Sequence, residues 1–113
     1  MLPTWPYPDR PGGSFEGEPY GSQVSFFVVD MAPGSGPRLH EHAYSETFLL
    51  QSGRARFELA GEPVEAEAGD VVVAPPDTPH RFEAIGSERL RMVTIHAAPR
   101  METVWLDEDR AAR

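Results

Sequence analysis

The chain has 113 residues and a formal net charge of −8, which is enough for one domain and too short for two. It contains no cysteine and no lysine, which excludes disulfides, cysteine-based metal sites and Schiff-base chemistry. Its acidity and the lack of a long apolar run argue against nucleic acid and membranes as partners.

Residues 1–23 are rich in proline, glycine and aromatic side chains and show no periodicity. This composition predicts an irregular N-terminal arm whose aromatic residues pack against the rest of the domain. The first residues have neither a basic start nor a continuous apolar segment, as a signal peptide would require. We therefore expect a cytoplasmic protein.

From Val24 onward, short β-rich segments alternate with Gly- and Pro-containing turns. The predicted strands are Val24–Met31, Glu46–Gln51, Arg54–Leu59, Val64–Ala68, Asp70–Ala74, His80–Ile85 and Arg89–His96. The valine run Asp70–Ala74 is predicted to be a buried strand. Ala60–Pro63 is predicted to form a turn. This spacing predicts an all-β, antiparallel barrel or sandwich over residues 24–98. Residues 99–113 are expected to add a last strand at Thr103–Leu106 and a short polar helical turn.

Four residues in this strand pattern suit a metal ion. His40 and His42 are two residues apart, so on a strand both side chains leave the same face. Glu46 follows across a bend, and His80 begins a later strand behind a Pro-rich turn. Three imidazoles and one carboxylate are suitable ligands for a borderline divalent ion. The alternative interpretation of these four residues alone is a set of surface or hydrogen-bonded structural side chains.

The spacing around these residues resembles two motifs of the cupin superfamily. The first motif, which combines Gly, His-x-His, Glu and Gly at fixed spacing, is matched at every position by Gly34, His40, His42, Glu46 and Gly53. The second motif is matched by Gly69, Pro75 and His80. Two positions differ, since Asp77 stands where the family has Gly and Ala84 where it has Asn. Asp tolerates the left-handed conformation that such a turn uses, and neither change removes a metal ligand.

The resemblance implies a cupin-type jelly-roll barrel of six or eight strands with one divalent metal ion inside. It implies that His40, His42, Glu46 and His80 are the ligands and that open coordination positions remain for a small molecule. Fe or Mn is favoured, with Zn, Ni or Cu as alternatives, because imidazole binds all of them. The resemblance also implies a homodimer, because small cupins commonly form dimers. The apolar residues that face away from the metal, Leu49, Val72, Val93 and Ile95, are the expected contact.

The period of two along the strands extends the inward face around the metal. It predicts that the pocket is lined by Phe48, Leu50, Phe82, Met92 and Thr94. Arg38 is a candidate catalytic residue that could clamp a substrate carboxylate, and a solvent-facing Arg38 is the alternative. His96 is a candidate acid or base near the ion, and a structural histidine is the alternative.

Two classes of function remain open from the sequence. The first is a metal-dependent enzyme acting on a small organic molecule, with dioxygenase-type oxidation ahead of isomerase or lyase chemistry. The second is a non-catalytic module that binds or senses a small molecule. A purely structural role is disfavoured by the complete ligand set. Because one fold hosts many functions, the fold alone does not choose between them.

Overall fold

The computed structural model describes residues 13–106, which form strands and one 3₁₀ turn. The strands are β1 (Gly13–Glu16), β2 (Ser25–Met31), β3 (His40–Glu41), β4 (Glu46–Ser52), β5 (Arg54–Leu59), β6 (Glu62–Glu67), β7 (Val71–Ala74), β8 (His80–Ile85), β9 (Leu90–His96) and β10 (Val104–Trp105), and the 3₁₀ turn is Glu18–Tyr20. Within this part of the chain, no helix is long and apolar enough to cross a membrane.

The strands form two antiparallel five-stranded sheets. The order is β1-β2-β9-β4-β7 in the first sheet and β10-β3-β8-β5-β6 in the second. Strands β2–β9 supply four strands to each sheet in the order of a jelly roll, and β1 and β10 each add an edge strand. The predicted all-β, antiparallel fold is confirmed. Of the six or eight strands expected for the barrel, the structure has eight, β2 to β9.

The core lies between the sheets and follows from the alternation along each strand. Every second residue is buried from Glu46 to Leu50 in β4 and from Leu90 to His96 in β9, as expected for strands with one inward face. The apolar cluster consists of Phe48, Leu50, Ala55, Phe57, Ala66, Val72, Ala74, Phe82, Ala84, Leu90 and Met92. Phe48 and Phe57 meet edge to face at 4.9 Å between ring centroids. This cluster fills one end of the barrel, so the other end is left for the polar site.

Strand β7 differs from the predicted buried valine run. Val71 and Val73 are 58% and 47% exposed, whereas Val72 is 8% exposed and belongs to the core. The physical reason is that Val71 and Val73 point to the outer face of the sheet, and β7 as an edge strand has a neighbouring strand on one side only. The expectation that Val72 faces outward is therefore wrong: it pairs with Phe48, and both side chains point inward.

The turn between β5 and β6 is shorter than predicted. Glu62 and Pro63 belong to β6, and Glu62 pairs with Leu59, which leaves a loop of only Ala60 and Gly61. Both loop residues have positive φ, 50° and 85°, as a type I′ hairpin turn requires. Such a turn matches the twist of the flanking strands, so the hairpin closes without the longer loop.

Part of the predicted irregular arm is regular. Strand β1 lies within residues 1–23 and pairs with β2, where Phe15 stacks on Phe26 at 5.0 Å between ring centroids. Its pairing covers backbone groups that would otherwise be free at the edge of the sheet. At the other end, β10 lies inside the predicted last strand Thr103–Leu106. The predicted polar helical turn falls mostly on residues 107–113, outside the described part of the chain.

Candidate metal centre

Four side chains converge between the sheets at the open end of the barrel. His40 lies on β3 directly opposite His80 on β8, Glu46 begins β4, and His42 follows β3. One donor atom from each residue lies within 4.8 Å of the others, and each side chain is buried. The predicted set of His40, His42, Glu46 and His80 therefore forms one potential metal site.

The backbone fixes the tautomer of each of the three histidines. In each ring Nδ1 lies within hydrogen-bond distance of a carbonyl oxygen, which only accepts, so Nδ1 carries the proton. The Nε2 atom of the neutral ring then has a free lone pair, as in metal-binding histidines. The carbonyl partners of His40, His42 and His80 are those of Arg38 at 2.7 Å, Glu102 at 2.9 Å and Thr78 at 2.8 Å.

The contacts around Glu46 favour a cation between these groups. Its Oε1 atom lies 3.0 Å from Nε2 of His42 and 3.1 Å from Nε2 of His80. With the ring protons on Nδ1, each contact brings two lone pairs together, and only a proton or a metal ion can stabilise it. Three imidazole nitrogens and one carboxylate are ligands of Fe, Mn, Ni, Cu and Zn. The donor set thus fits a divalent transition metal ion.

Electrostatics favour the charge state that a metal ion requires at Glu46 and at His40, whereas at His42 they favour the protonated ring. Burial raises the pKa of Glu46, but the surrounding imidazoles of His42, His80 and His96 outweigh burial and hold the pKa far below its ordinary value. Burial lowers the pKa of His40, and the neighbouring His80 adds to this effect. Burial also opposes the charged form of His42, yet the contact with Glu46 raises the pKa of His42 overall. Glu46 is therefore an anionic ligand and His40 a neutral one.

The structure places His96 beside the four ligands. It ends β9, is 1% exposed, and its Nε2 lies 3.2 Å from Oε2 of Glu46. Its Nδ1 lies 2.7 Å from the hydroxyl of Tyr44, and that hydroxyl accepts a hydrogen bond from the backbone N–H of Glu102 at 3.1 Å. With Nδ1 as the acceptor for the hydroxyl's own proton, the proton of His96 is on Nε2, which faces the acceptor-only carboxylate of Glu46. His96 has the opposite tautomer from the three ligand histidines and serves as a neighbour of the site.

Arg38 lies outside the cavity that holds the ligands. Its guanidinium carbon is 4.9 Å from the ring centroid of Trp105, a cation–π contact. Arg38 lines a separate groove on the surface. The β3 alternation that directs His40 inward does not extend to Arg38, because β3 begins only at His40. The predicted clamp on a substrate carboxylate is therefore not formed in this arrangement.

A cavity of about 240 Å³ adjoins the ligands, and its walls are mostly apolar. It is lined by Phe27, Val29, Met31, Pro37, His40, His42, Glu46, Phe82, Thr94, His96, Thr103 and Trp105. Of the predicted lining residues, Phe82 and Thr94 are present. Phe48, Leu50 and Met92 point inward as expected, but they are packed in the core cluster at the filled end of the barrel.

Sequence reasoning missed several residues of this site. Tyr44 follows His40 and His42 at the same spacing of two, so the strand period could have placed it at the ligand cluster. Phe27 and Trp105 line the cavity from strands β2 and β10, which pair with β9 and β3. No sequence signal links these two strands to the motifs, because the connection is made only by strand pairing.

The comparisons with known proteins agree with the fold. The family profile described as "Cupin domain" matches residues 27–96, more than half of the chain. The protein therefore belongs to the cupin family.

Individual relatives share between a fifth and two fifths of the aligned residues with this chain. The chain is 36% identical over 80 residues to the uncharacterized protein MJ1618 of Methanocaldococcus jannaschii, covering 70% of this chain and 64% of that one. It is 39% identical over 70 residues to the polyketide synthase CurC of Streptomyces cyaneus, covering 61% of this chain and 45% of that one. The chain thus spans less than two thirds of each of these relatives. A cupin 2 domain-containing protein of Halorhodospira halophila has the same fold, with a TM-score of 0.76, 22% identity and coverage of 90% of this chain and 73% of that one.

Proposed function

We propose that the protein is a metal-dependent enzyme that oxidises a small organic molecule with dioxygen. The observation that carries this proposal is the direction of the donor atoms: three imidazole nitrogens and a carboxylate face one another beside a mostly apolar cavity. A bound Fe(II) or Mn(II) ion would be held by His40, His42, Glu46 and His80 and would supply Lewis-acid and redox chemistry. In a dioxygenase both atoms of O₂ enter the organic product, so no external reductant is needed.

The charge balance of the site supports a monoanionic substrate group. A divalent ion on three neutral imidazoles and the Glu46 carboxylate leaves one positive charge uncompensated. Among the described residues, no Arg lines the cavity, so a second anionic group on the substrate would have no partner. An enolate or a phenolate suits this arrangement better than a dicarboxylate or a sugar phosphate. The similarity to CurC, named a polyketide synthase, supports the same substrate chemistry, since polyketones are enolisable.

The protein's own side chains have separate roles in this proposal. The Nδ1–H bonds to backbone carbonyls hold the rings of His40, His42 and His80 in place. His96 adds a polar group to the cavity wall beside Glu46, with its Nε2 3.2 Å from the second carboxylate oxygen. The apolar wall formed by Phe27, Phe82 and Trp105 excludes water from the reacting group.

Isomerase or lyase chemistry is the second candidate, and the His96–Tyr44 pair favours it. This pair places an N–H group at the edge of the cavity, backed by a hydroxyl that can replace a transferred proton. A proton moved between carbon and oxygen of an enolisable carbonyl needs such a group and no oxidant.

The test is elemental analysis of anaerobically purified protein, combined with oxygen-uptake assays on small phenols, diketones and thiols. We expect one Fe or Mn per chain and uptake that depends on the substrate. The control is His42→Ala, which removes a ligand and should show neither. Metal without uptake on any compound would contradict oxidation and favour the isomerase or lyase candidate, tested by deuterium exchange into the diketones, or a sensing role. No metal after reconstitution would overturn the metalloenzyme proposal as a whole.

A further inference from the structure

Two buried polar atoms on β9 have no hydrogen-bond partner within residues 13–106: Oγ1 of Thr94 and Nε2 of His96. The two residues are 2% and 1% exposed. Nε2 of His96 approaches Glu46 at 3.2 Å, but the N–H bond is not aligned with the carboxylate oxygen. Unpartnered buried polar atoms are rare in native structures and have a specific explanation, such as a functional role or a bound water, ion or ligand.

Both atoms belong to side chains that line the same cavity. Thr94 and His96 are two residues apart on β9, so they point to the same face of the sheet, and both line the cavity of about 240 Å³. This volume lies below the ~300–1,000 Å³ of sites for drug-sized ligands, so it fits a molecule of about one ring. The surrounding wall is formed by Phe27, Val29, Met31, Phe82 and Trp105, among others.

The hydrogen-bonding character of the two groups limits what they recognise. Since Tyr44 donates to Nδ1 of His96, Nε2 carries the proton and is a donor, which requires an acceptor oxygen on the ligand. The Thr94 hydroxyl can donate or accept. Residues two apart on a strand are separated by roughly 6.6 Å, comparable with the separation of opposite substituents on a six-membered ring.

We infer that Thr94 and His96 are a recognition pair for a ring-sized, otherwise apolar molecule with oxygen atoms at opposite ends. One oxygen accepts a hydrogen bond from Nε2–H of His96, and the other pairs with the Thr94 hydroxyl. This inference rests on the proposed function, because it names the substrate class of that site. It also assigns Thr94 as a residue that determines specificity.

The experiment measures the binding of two probes, hydroquinone and 4-methylphenol, to anaerobic protein loaded with redox-inert Zn(II). The readout is the fluorescence of Trp105, which lines the cavity, in a Trp5→Phe background that removes the second tryptophan. Thr94→Val removes the hydroxyl without changing the shape of the side chain. Thr47→Val is the matched control, because Thr47 pairs with Ile95 on the outer face of the same sheet. His96→Asn keeps an acceptor for Tyr44 but has no donor at the Nε2 position, whereas His96→Gln restores a donor near that position.

We expect Thr94→Val to weaken hydroquinone binding about 10-fold, as the loss of a buried hydrogen bond does, and to leave 4-methylphenol binding unchanged. His96→Asn should weaken both probes by a similar factor, while His96→Gln and Thr47→Val bind like the parent protein. If every variant binds hydroquinone equally, or the zinc-loaded parent binds neither probe, the recognition pair is wrong. Zinc content is measured on each sample. A parent protein that holds no zinc would overturn the proposed function, whereas a zinc-loaded parent that binds neither probe would overturn only the recognition pair.

Discussion

Four histidines of identical chemistry are divided into two roles by the atoms that face their Nδ1 nitrogens. Three rings meet backbone carbonyls through Nδ1, which leaves each Nε2 with a lone pair, and those of His42 and His80 face Glu46. His96 instead meets a hydroxyl that is itself held by a backbone N–H, so His96 directs a proton inward. The difference between a metal ligand and a donor to substrate thus depends on one hydrogen bond per ring.

This assignment predicts a difference between two alanine variants. His42→Ala removes a donor that faces Glu46 and should reduce metal affinity by more than the ~10–100-fold typical of changes outside the ligand set. His96→Ala should keep most of the metal, because the ring has no lone pair available on Nε2. Metal content of matched preparations, measured by elemental analysis after dialysis, checks this.

Thermal unfolding of both variants serves as the folding control for that comparison. Equal metal retention in two variants that are both folded would contradict the division of the four histidines. Equal loss in two folded variants would contradict it as well, since it would make His96 a ligand.

At the scale of the elements, the turns hold the strands that carry the ligands in register. Gly53 joins β4 to β5 with φ of 79°, and a Cβ atom there would lie 2.4 Å from the carbonyl oxygen of Arg89. The position thus needs glycine for two reasons: its left-handed conformation and the close approach of the chain just before β9. Asp77 has φ of 57°, which confirms that Asp occupies the left-handed position where cupins have Gly.

Gly53→Ala should therefore destabilise the protein by about 2–4 kcal/mol, the sum of left-handed strain and a backbone clash. Gly61→Ala is the matched control, because Gly61 has a φ of 85° but no atom within 4 Å of its added Cβ. This control should lose only about 1–2 kcal/mol. Urea unfolding gives both values, and equal losses would show that the contact with Arg89 contributes nothing.

At the scale of the whole molecule, the outer face of the first sheet is an apolar surface. It carries Leu49, Val71, Val73, Val93 and Ile95, with Val71 and Val73 the most exposed. The expected homodimer stays a prediction, and this face is the one we assign to it. A self-complementary apolar sheet face suits a two-fold symmetric contact between two copies.

Val73→Lys places a charge in this face and should convert a dimer into a monomer of 12.5 kDa, measured by light scattering after size exclusion. Val104→Lys is the control, since Val104 is 55% exposed but lies on β10 in the second sheet. Because each copy has a net charge of −8, association should strengthen with added salt. A parent protein that is monomeric at high concentration and high salt would contradict the predicted dimer.

The sequence by itself determined the all-β fold, the approximate strand positions and the four candidate ligands. These depend on local patterns: the period of two, the Gly and Pro turns, and the fixed spacing of His40, His42, Glu46 and His80. Only the tertiary structure decided the features that join distant parts of the chain. The tautomer of His42 depends on the carbonyl of Glu102, and that of His96 on Tyr44. The exposure of Val71 and Val73 follows from their place on the outer face of an edge strand, and the unpartnered hydroxyl of Thr94 lines the cavity. Strand pairing creates these contacts, and no local period encodes which strands will pair.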